Sequence, residues 1–161
     1  MSEPYEEMLE GETIRRAAPG PRHELICTRL HDRVHAGVAN FTGSRLLAPR
    51  SRVRLSAATT VCPDLALVTV ATGKLWLAAE IVSSDDHRMD TVIKKQIYEE
   101  LKVPRLWMVD PRYDNVEVYH AGMYGLMLKG ILAGQDVLTE KLLPEFQLKV
   151  AELFEALQPQ D

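Results

Sequence analysis

The sequence predicts a mixed α/β (α+β) fold with one mixed sheet and few helices. Three observations predict it. Residues 65–70 and 75–82 are strongly apolar, β-rich runs around a Thr72-Gly73-Lys74 turn, the pattern of two buried strands in a hairpin. A helical stretch follows and leads into a further apolar run at 105–109, which is how parallel neighbours are joined. The full order is strand, helix, several strands, helix, more strands and a closing helix, rather than strict strand–helix alternation.

The elements follow in order. Residues 9–15 read as a short strand or hairpin arm around Gly11, and 17–21 as a Pro/Gly turn. Over 22–38, Ile26, Leu30, Val34 and Val38 form one helical stripe, and Pro21 suits the first turn. Residues 52–56 alternate charged and apolar side chains, a half-buried strand. A helix is expected over 85–102. Asp85 and Asp86 sit where its dipole favours acids, and Met89, Val92, Ile93, Ile97 and Leu101 make its apolar stripe. Strands at 105–109 and 115–120 flank a turn begun by Asp110-Pro111; another is expected at 124–132, a short one at 146–150 after Pro144, and a last helix at 151–157. The central sheet is expected to contain 52–56, 64–70, 75–82 and 105–109, flanked by helices 22–38 and 86–102.

The chain has 161 residues, 46% of them hydrophobic, enough for a core in a single domain over 1–161 without disulfides. Lys plus Arg number 19 against 23 Asp plus Glu, a net charge of -4. That excludes a strongly basic nucleic-acid coat but leaves room for a local basic groove, because binding depends on where charge sits. No apolar run approaches the roughly 18 residues of a membrane span, and the acidic start carries no signal-peptide stretch. Cys27 and Cys62 form neither a disulfide framework nor zinc-ligand spacing. The expectation is a cytoplasmic protein with reduced thiols and no membrane partner.

Two carboxylates stand out. Asp64 heads one apolar strand, and Glu80 sits inside the other, where an unpaired charge costs several kcal/mol. Counted back from the turn, 64 and 80 come nearly opposite each other, about 5 Å apart. Carboxylates that close repel unless a cation separates them, and Mg²⁺ (or Mn²⁺) takes one or two carboxylates plus waters and phosphate oxygens. Lys94 and Lys95 lie on the helix leaving Glu80's strand, Lys94 four residues after Asp90 and four before Tyr98. Neighbouring helical positions differ by about 100°, so only one lysine faces the carboxylates. Lys94, at the edge of the Ile93–Ile97 stripe, is favoured, and Lys95 is expected to reach solvent.

His23, Cys27, His31 and His35 recur every four residues, a spacing that would serve a transition metal. The row lies about 60° from the apolar stripe of its helix, so a core-edge face is the preferred reading. A Cys27–His31 nucleophile pair lacks any mark of an oxyanion hole or third member.

Read together, Glu7-Met-Leu-Glu-Gly-Glu12, Pro21-Arg-His23, Pro63-Asp-Leu65, Glu80-Ile-Val-Ser83, Asp90 with Lys94 and Tyr98, Val103-Pro104, Trp107-Met-Val-Asp-Pro111, Val116-Glu-Val-Tyr119, Asp136-Val-Leu and Leu143-Pro144 resemble the Uma-two family of restriction-endonuclease-like proteins, within the PD-(D/E)XK nuclease superfamily. The resemblance covers nearly the whole chain. It implies a restriction-endonuclease-like central mixed sheet flanked by helices, and a metal-dependent endonuclease that hydrolyses DNA phosphodiesters with Mg²⁺ (or Mn²⁺). By it Asp64 and Glu80 are catalytic metal ligands. The superfamily's usual lysine position is Val82 here, and the family's displaced lysine maps to Lys94. Glu7 and His23 match accessory positions, Glu7 as a possible addition to the metal shell. After Ser83 the family's proline is replaced by Ser84-Asp85-Asp86, acids expected either to repel DNA or to add ligands. The alternative function is a catalytically weak or silent nucleic-acid-binding or interaction module on the same fold. A homodimer is also expected, with 116–119 and the apolar tail 142–157 as its face.

Overall fold

The computed structural model describes residues 2–83 and 86–156. A six-stranded sheet in the order β10-β9-β8-β7-β6-β3 is its centre. Its members are β3 (Ser44–Leu46), β6 (Leu65–Thr69), β7 (Leu75–Ile81), β8 (Arg105–Asp110), β9 (Asn115–Gly122) and β10 (Gly125–Ala133). β7 and β8 run parallel, with Leu77 opposite Arg105 and Glu80 opposite Met108; the other pairs are antiparallel. The sheet is mixed, as the sequence predicts.

Each face carries its own core. On one side α1 (Pro21–Val38) brings Ile26, Leu30 and Val34 onto Leu65, Leu77 and Trp107. A ribbon of β11 (Val137–Glu140) and β12 (Leu143–Lys149), with the short α3 (Ala151–Phe154), completes that layer. Phe146 stacks on Trp107 with ring centroids 5.4 Å apart. On the other side a four-stranded sheet, β2-β1-β5-β4, places Leu9, Val53 and Val61 over Ala66, Ala78 and Met108. Its strands are β1 (Tyr5–Leu9), β2 (Glu12–Arg16), β4 (Val53–Ser56) and β5 (Thr59–Val61). The β1–β2 hairpin turns at Glu10 (φ 53°) and Gly11 (φ 85°). Positive φ at both central residues is the two-residue turn whose twist matches paired strands.

The structure corrects several expectations. The strand at 52–56 is not in the central sheet: it folds onto β5 and joins the second sheet. The central edge is taken by β3, three residues long and too short to show a period. Parts of the expected dimer face are buried within the chain itself: Val116, Val118 and Tyr119 of β9 lie in the cores on the two faces of the sheet, and Leu143, Phe146 and Leu148 of β12 lie in the core under α1, while Leu142 is exposed.

The helix after β7 differs most. It opens as a π-helix over Met89–Lys94 and continues as α2 (Lys95–Glu100). Its predicted start at Asp85 lies outside the described residues. Val92, Ile93 and Leu101, expected to be buried, are exposed, whereas Asp90, Lys94, Ile97 and Tyr98 face inward. Burial here follows ion pairing: Asp90 and Lys94 meet buried partners that no local pattern reveals. The closing helix ends at Phe154 within the described residues; Leu157 lies outside them.

Candidate active site

The site forms where β6 begins and β7 ends. Leu65 pairs with Ala79, and one step further along this antiparallel ladder brings Asp64 opposite Glu80. Directly opposed residues share a face, here the face of Ala66 and Ala78 that looks toward the second sheet. Both carboxylates are 2% exposed.

Glu80 receives Lys94 from the helix. Lys94 is fully buried, and its Nζ contacts Glu80 Oε1 and lies 2.7 Å from Glu7 Oε2 on β1. Tyr98, one turn on, donates its hydroxyl to Glu80 Oε1 at 2.5 Å. The π-helical turn ending at Lys94 widens the helix where it delivers the ammonium, a position such turns often take at functional sites. Lys95 turns away: its Nζ sits over the Tyr119 ring, 4.6 Å from the centroid, rather than free in solvent.

Glu7 engages both oxygens. Oε1 accepts from Arg16 Nη1 at 2.7 Å, and Oε2 accepts from the Cys62 amide at 2.7 Å beside Lys94. Arg16 continues to Asp90 Oδ1 at 2.8 Å, and Asp90 Oδ2 accepts from the Ser83 amide at 2.9 Å. Glu7 thus ties Lys94 to the second sheet, where the resemblance suggests a metal-shell member. Asp86 reaches only 3.8 Å from Arg16 Nε; Ser84 and Asp85 lie outside the described residues.

Asp64 is held from the α1 side. Oδ2 accepts from the Ile81 amide at 2.8 Å, and Oδ1 from Arg50 Nη1 at 3.1 Å. His23 Nε2 stands 3.4 Å from Asp64 Oδ2 and donates to the Ile81 carbonyl at 3.1 Å. Further along α1, Cys27 Sγ and His31 Nε2 approach the Asp64 carbonyl at 3.6 and 2.8 Å. Three of the every-fourth-residue row, His23, Cys27 and His31, therefore clamp Asp64, and His35 is exposed. Among the described residues no three His, Cys, Asp or Glu side chains converge on a metal position.

Electrostatics follow from this crowding. Glu7, Glu80 and Asp90 are buried carboxyls grouped around the buried cations Arg16 and Lys94, and the buried Asp64 is paired with Arg50 and His23. Burial pushes Glu80 up to about 8; Lys94 opposes that, while Asp64, Glu7 and Asp90 add to it. Burial would likewise raise Asp64, but the His23 hydrogen bond and charge and the Ile81 amide hold it below its ordinary value. Burial would lower Lys94, yet Glu80, Tyr98, Glu7 and Asp90 keep it well above the usual lysine value. His23 is raised against its burial by Asp64.

Tyr5, Arg16 and Arg50 belong to this site and carried no sequence signal. Arg16 sits in an ordinary polar strand, Arg50 in a Pro-Arg-Ser turn. Tyr5 lies under Arg16, 5.8 Å from its ring centroid to Cζ, with Asp64, Lys94 and Glu80 as electrostatic neighbours. A cavity of about 300 Å³ opens beside the site, lined in part by Tyr5, Arg16, His23, Ile81 and Val82.

Comparison with known proteins agrees with this geometry at the level of fold and family. No curated protein matches the sequence. The structure is similar to the crystal structure of a protein from Anabaena variabilis described as a putative nuclease of DUF820, with a TM-score of 0.77 and 18% identity over 95% of this chain and 91% of that one. At that identity the likeness speaks for the fold. Residues 2–151 match the model of the Uma2 family, described as "Putative restriction endonuclease". With nearly the whole sequence matched and the restriction-endonuclease-like sheet in place, this chain is a member of the Uma2 family.

Proposed function

We propose that this protein is a metal-dependent endonuclease of the PD-(D/E)XK type that hydrolyses DNA phosphodiester bonds. The observation that carries the reading is the fully buried Lys94 ammonium held between Glu80 and Glu7, at the sheet end where Asp64 opposes Glu80. Family membership supports a nucleic-acid substrate.

Asp64 and Glu80 would hold Mg²⁺ or Mn²⁺. The donor set fits such an ion. It offers two hard carboxylates rather than a closed ring of soft ligands, suiting a metal that keeps waters and takes substrate oxygens. Burial, and then the neighbouring carboxyls of Asp64, Glu7 and Asp90, raise Glu80, and a divalent ion at its carboxylate would offset both. When bound, the ion lowers the pKa of a water and neutralises phosphate charge. Lys94 holds a proton-bearing positive charge beside Glu80, placed to orient the attacking water or to balance charge developing on the phosphate. Glu7 and Tyr98 fix Lys94 and Glu80 from either side. His23, through Asp64 and the Ile81 carbonyl, fixes the other ligand.

A silent binding module is the competing reading. It is favoured by how fully protein donors already engage Asp64 and Glu80. Nicking of supercoiled plasmid with Mn²⁺ separates the two: the wild type is expected to nick and Asp64→Ala is not. Absence of nicking by the wild type over a range of substrates and metals would leave only the module.

A further inference from the structure

We infer that the basic cleft formed by Arg15, Arg50 and Arg52 beside Asp64 is the seat of a polynucleotide's backbone phosphates, with Arg50 on the phosphate nearest the candidate active site. This rests on the nuclease reading above and names the surface by which the substrate is held.

The cleft has a volume of about 370 Å³, and Tyr5 and Cys62 also line it. Its arginines come from two segments: Arg15 from β2, and Arg50 and Arg52 from the connection between β3 and β4. Glu6 is the one carboxylate among its lining residues. Glu6 stands opposite Arg15 in the β1–β2 ladder. Arg15 and Arg52 are exposed, and among the described residues neither is ion-paired. A protein of net charge -4 thus gathers three guanidinium groups against one carboxylate at one opening.

Arg50 joins this cleft to the chemistry. Its backbone adopts φ 56°, in the left-handed region, which costs a non-glycine residue on the order of 1 kcal/mol. The amide of Arg50 bonds to the Pro63 carbonyl at 3.0 Å, one residue before Asp64. That anchor sends the guanidinium between Asp64 Oδ1, 3.1 Å from Nη1, and Glu24 Oε2, 2.8 Å from Nη2. A guanidinium carries five N–H donors in a planar fork. Two contacts leave donors for the cleft, where the side chain remains 15% exposed. Planar forks match phosphate oxygens, and each phosphate neutralised releases condensed counterions, the main source of affinity for a polyanion.

The test is binding of a fluorescently labelled DNA duplex in EDTA, followed by anisotropy over a salt series, with plasmid nicking measured alongside. Arg15→Gln and Arg52→Gln sit on the surface and are expected to keep the wild-type melting temperature. Each should weaken binding several-fold and reduce the slope of log K against log salt by about 1, and the double variant by about 2. Lys149→Gln, on β12 at the opposite face, should leave both unchanged. If the wild type binds and nicks DNA but the double variant binds with the same affinity and slope, the cleft assignment is overturned and the nuclease reading stands. If the slope falls as expected but nothing nicks, the cleft stands and the nuclease reading does not. If the wild type binds no DNA, the cleft assignment is overturned.

Discussion

Lys94 Nζ lies 2.7 Å from Glu7 Oε2, so a residue of the second sheet anchors the cation that the helix presents to Glu80 on the first. All three groups are buried. Removing one member of such a cluster strands the others without water. Breaking a buried pair typically costs about 3–5 kcal/mol.

Lys94→Ala is therefore expected to lower stability by a few kcal/mol and nicking by about 10²-fold or more, the usual scale for losing one electrostatic stabiliser. Lys95→Ala removes only a cation–π contact over Tyr119 and should change nicking little. Urea titration and plasmid nicking of both variants check this. Equal losses would show that the wrong lysine has been chosen.

Glu7→Gln keeps the shape of Glu7 but removes the charge that faces Arg16 and Lys94. We expect a stability loss of about 1–3 kcal/mol, the cost of weakening hydrogen bonds to buried charged groups. Nicking should fall while the affinity for Mn²⁺, measured by calorimetry, stays near wild type. A large loss of Mn²⁺ affinity would instead place Glu7 in the metal shell.

Divalent ions that bind only the folded protein raise its melting temperature. Millimolar Mg²⁺ or Mn²⁺ should do so for the wild type, and EDTA should reverse it. Asp64→Asn and Glu80→Gln should each abolish the increment. An undiminished increment in both variants would put the ion elsewhere.

Glu80 also sets a pH dependence. Its carboxyl is raised to about 8 from an ordinary value of 4.5, so the folded state favours the protonated form. Its contribution to stability is full below about 4.5 and is lost as pH rises through about 8. In EDTA, the stability difference between wild type and Glu80→Gln should drift against the wild type over that window. Denaturation at a series of pH values measures it, and a difference independent of pH would contradict the assignment.

Gly37 is where α1 touches β12. A Cβ built there meets Phe146 Cβ at 2.9 Å, an atom tied to the backbone that cannot swing aside. Alanine is favoured over glycine in a helix by about 1 kcal/mol, but overpacking a tight contact costs about 1–3 kcal/mol. Gly37→Ala should lower the melting temperature; an increase would mean that the two elements separate easily.

Elements whose cause is local are legible in the order of residues alone. The two apolar strands about the 72–74 turn, the stripe of α1 and the near opposition of 64 and 80 depend on periodicity and turn position, and all stand in the structure. A charge inside an apolar strand also marks Glu80 without any tertiary knowledge. The partners of the buried charges are set by the fold. The pattern of the second helix points Val92, Ile93 and Leu101 inward, yet Asp90 and Lys94 are buried because Arg16, Glu7 and Glu80 await them from distant segments. The histidine row carries metal-like spacing, but its Cys27 and His31 meet the Asp64 backbone instead. Arg16 and Arg50 look like surface arginines in sequence and become site residues only when β2 and the turn after β3 come against β6 and β7. Hydrophobic burial repeats along the chain with the period of each element and can be read there. A buried ion pair joins residues of unrelated sequence position, so its energy, and the side chains it draws inward, exist only once the chain has folded.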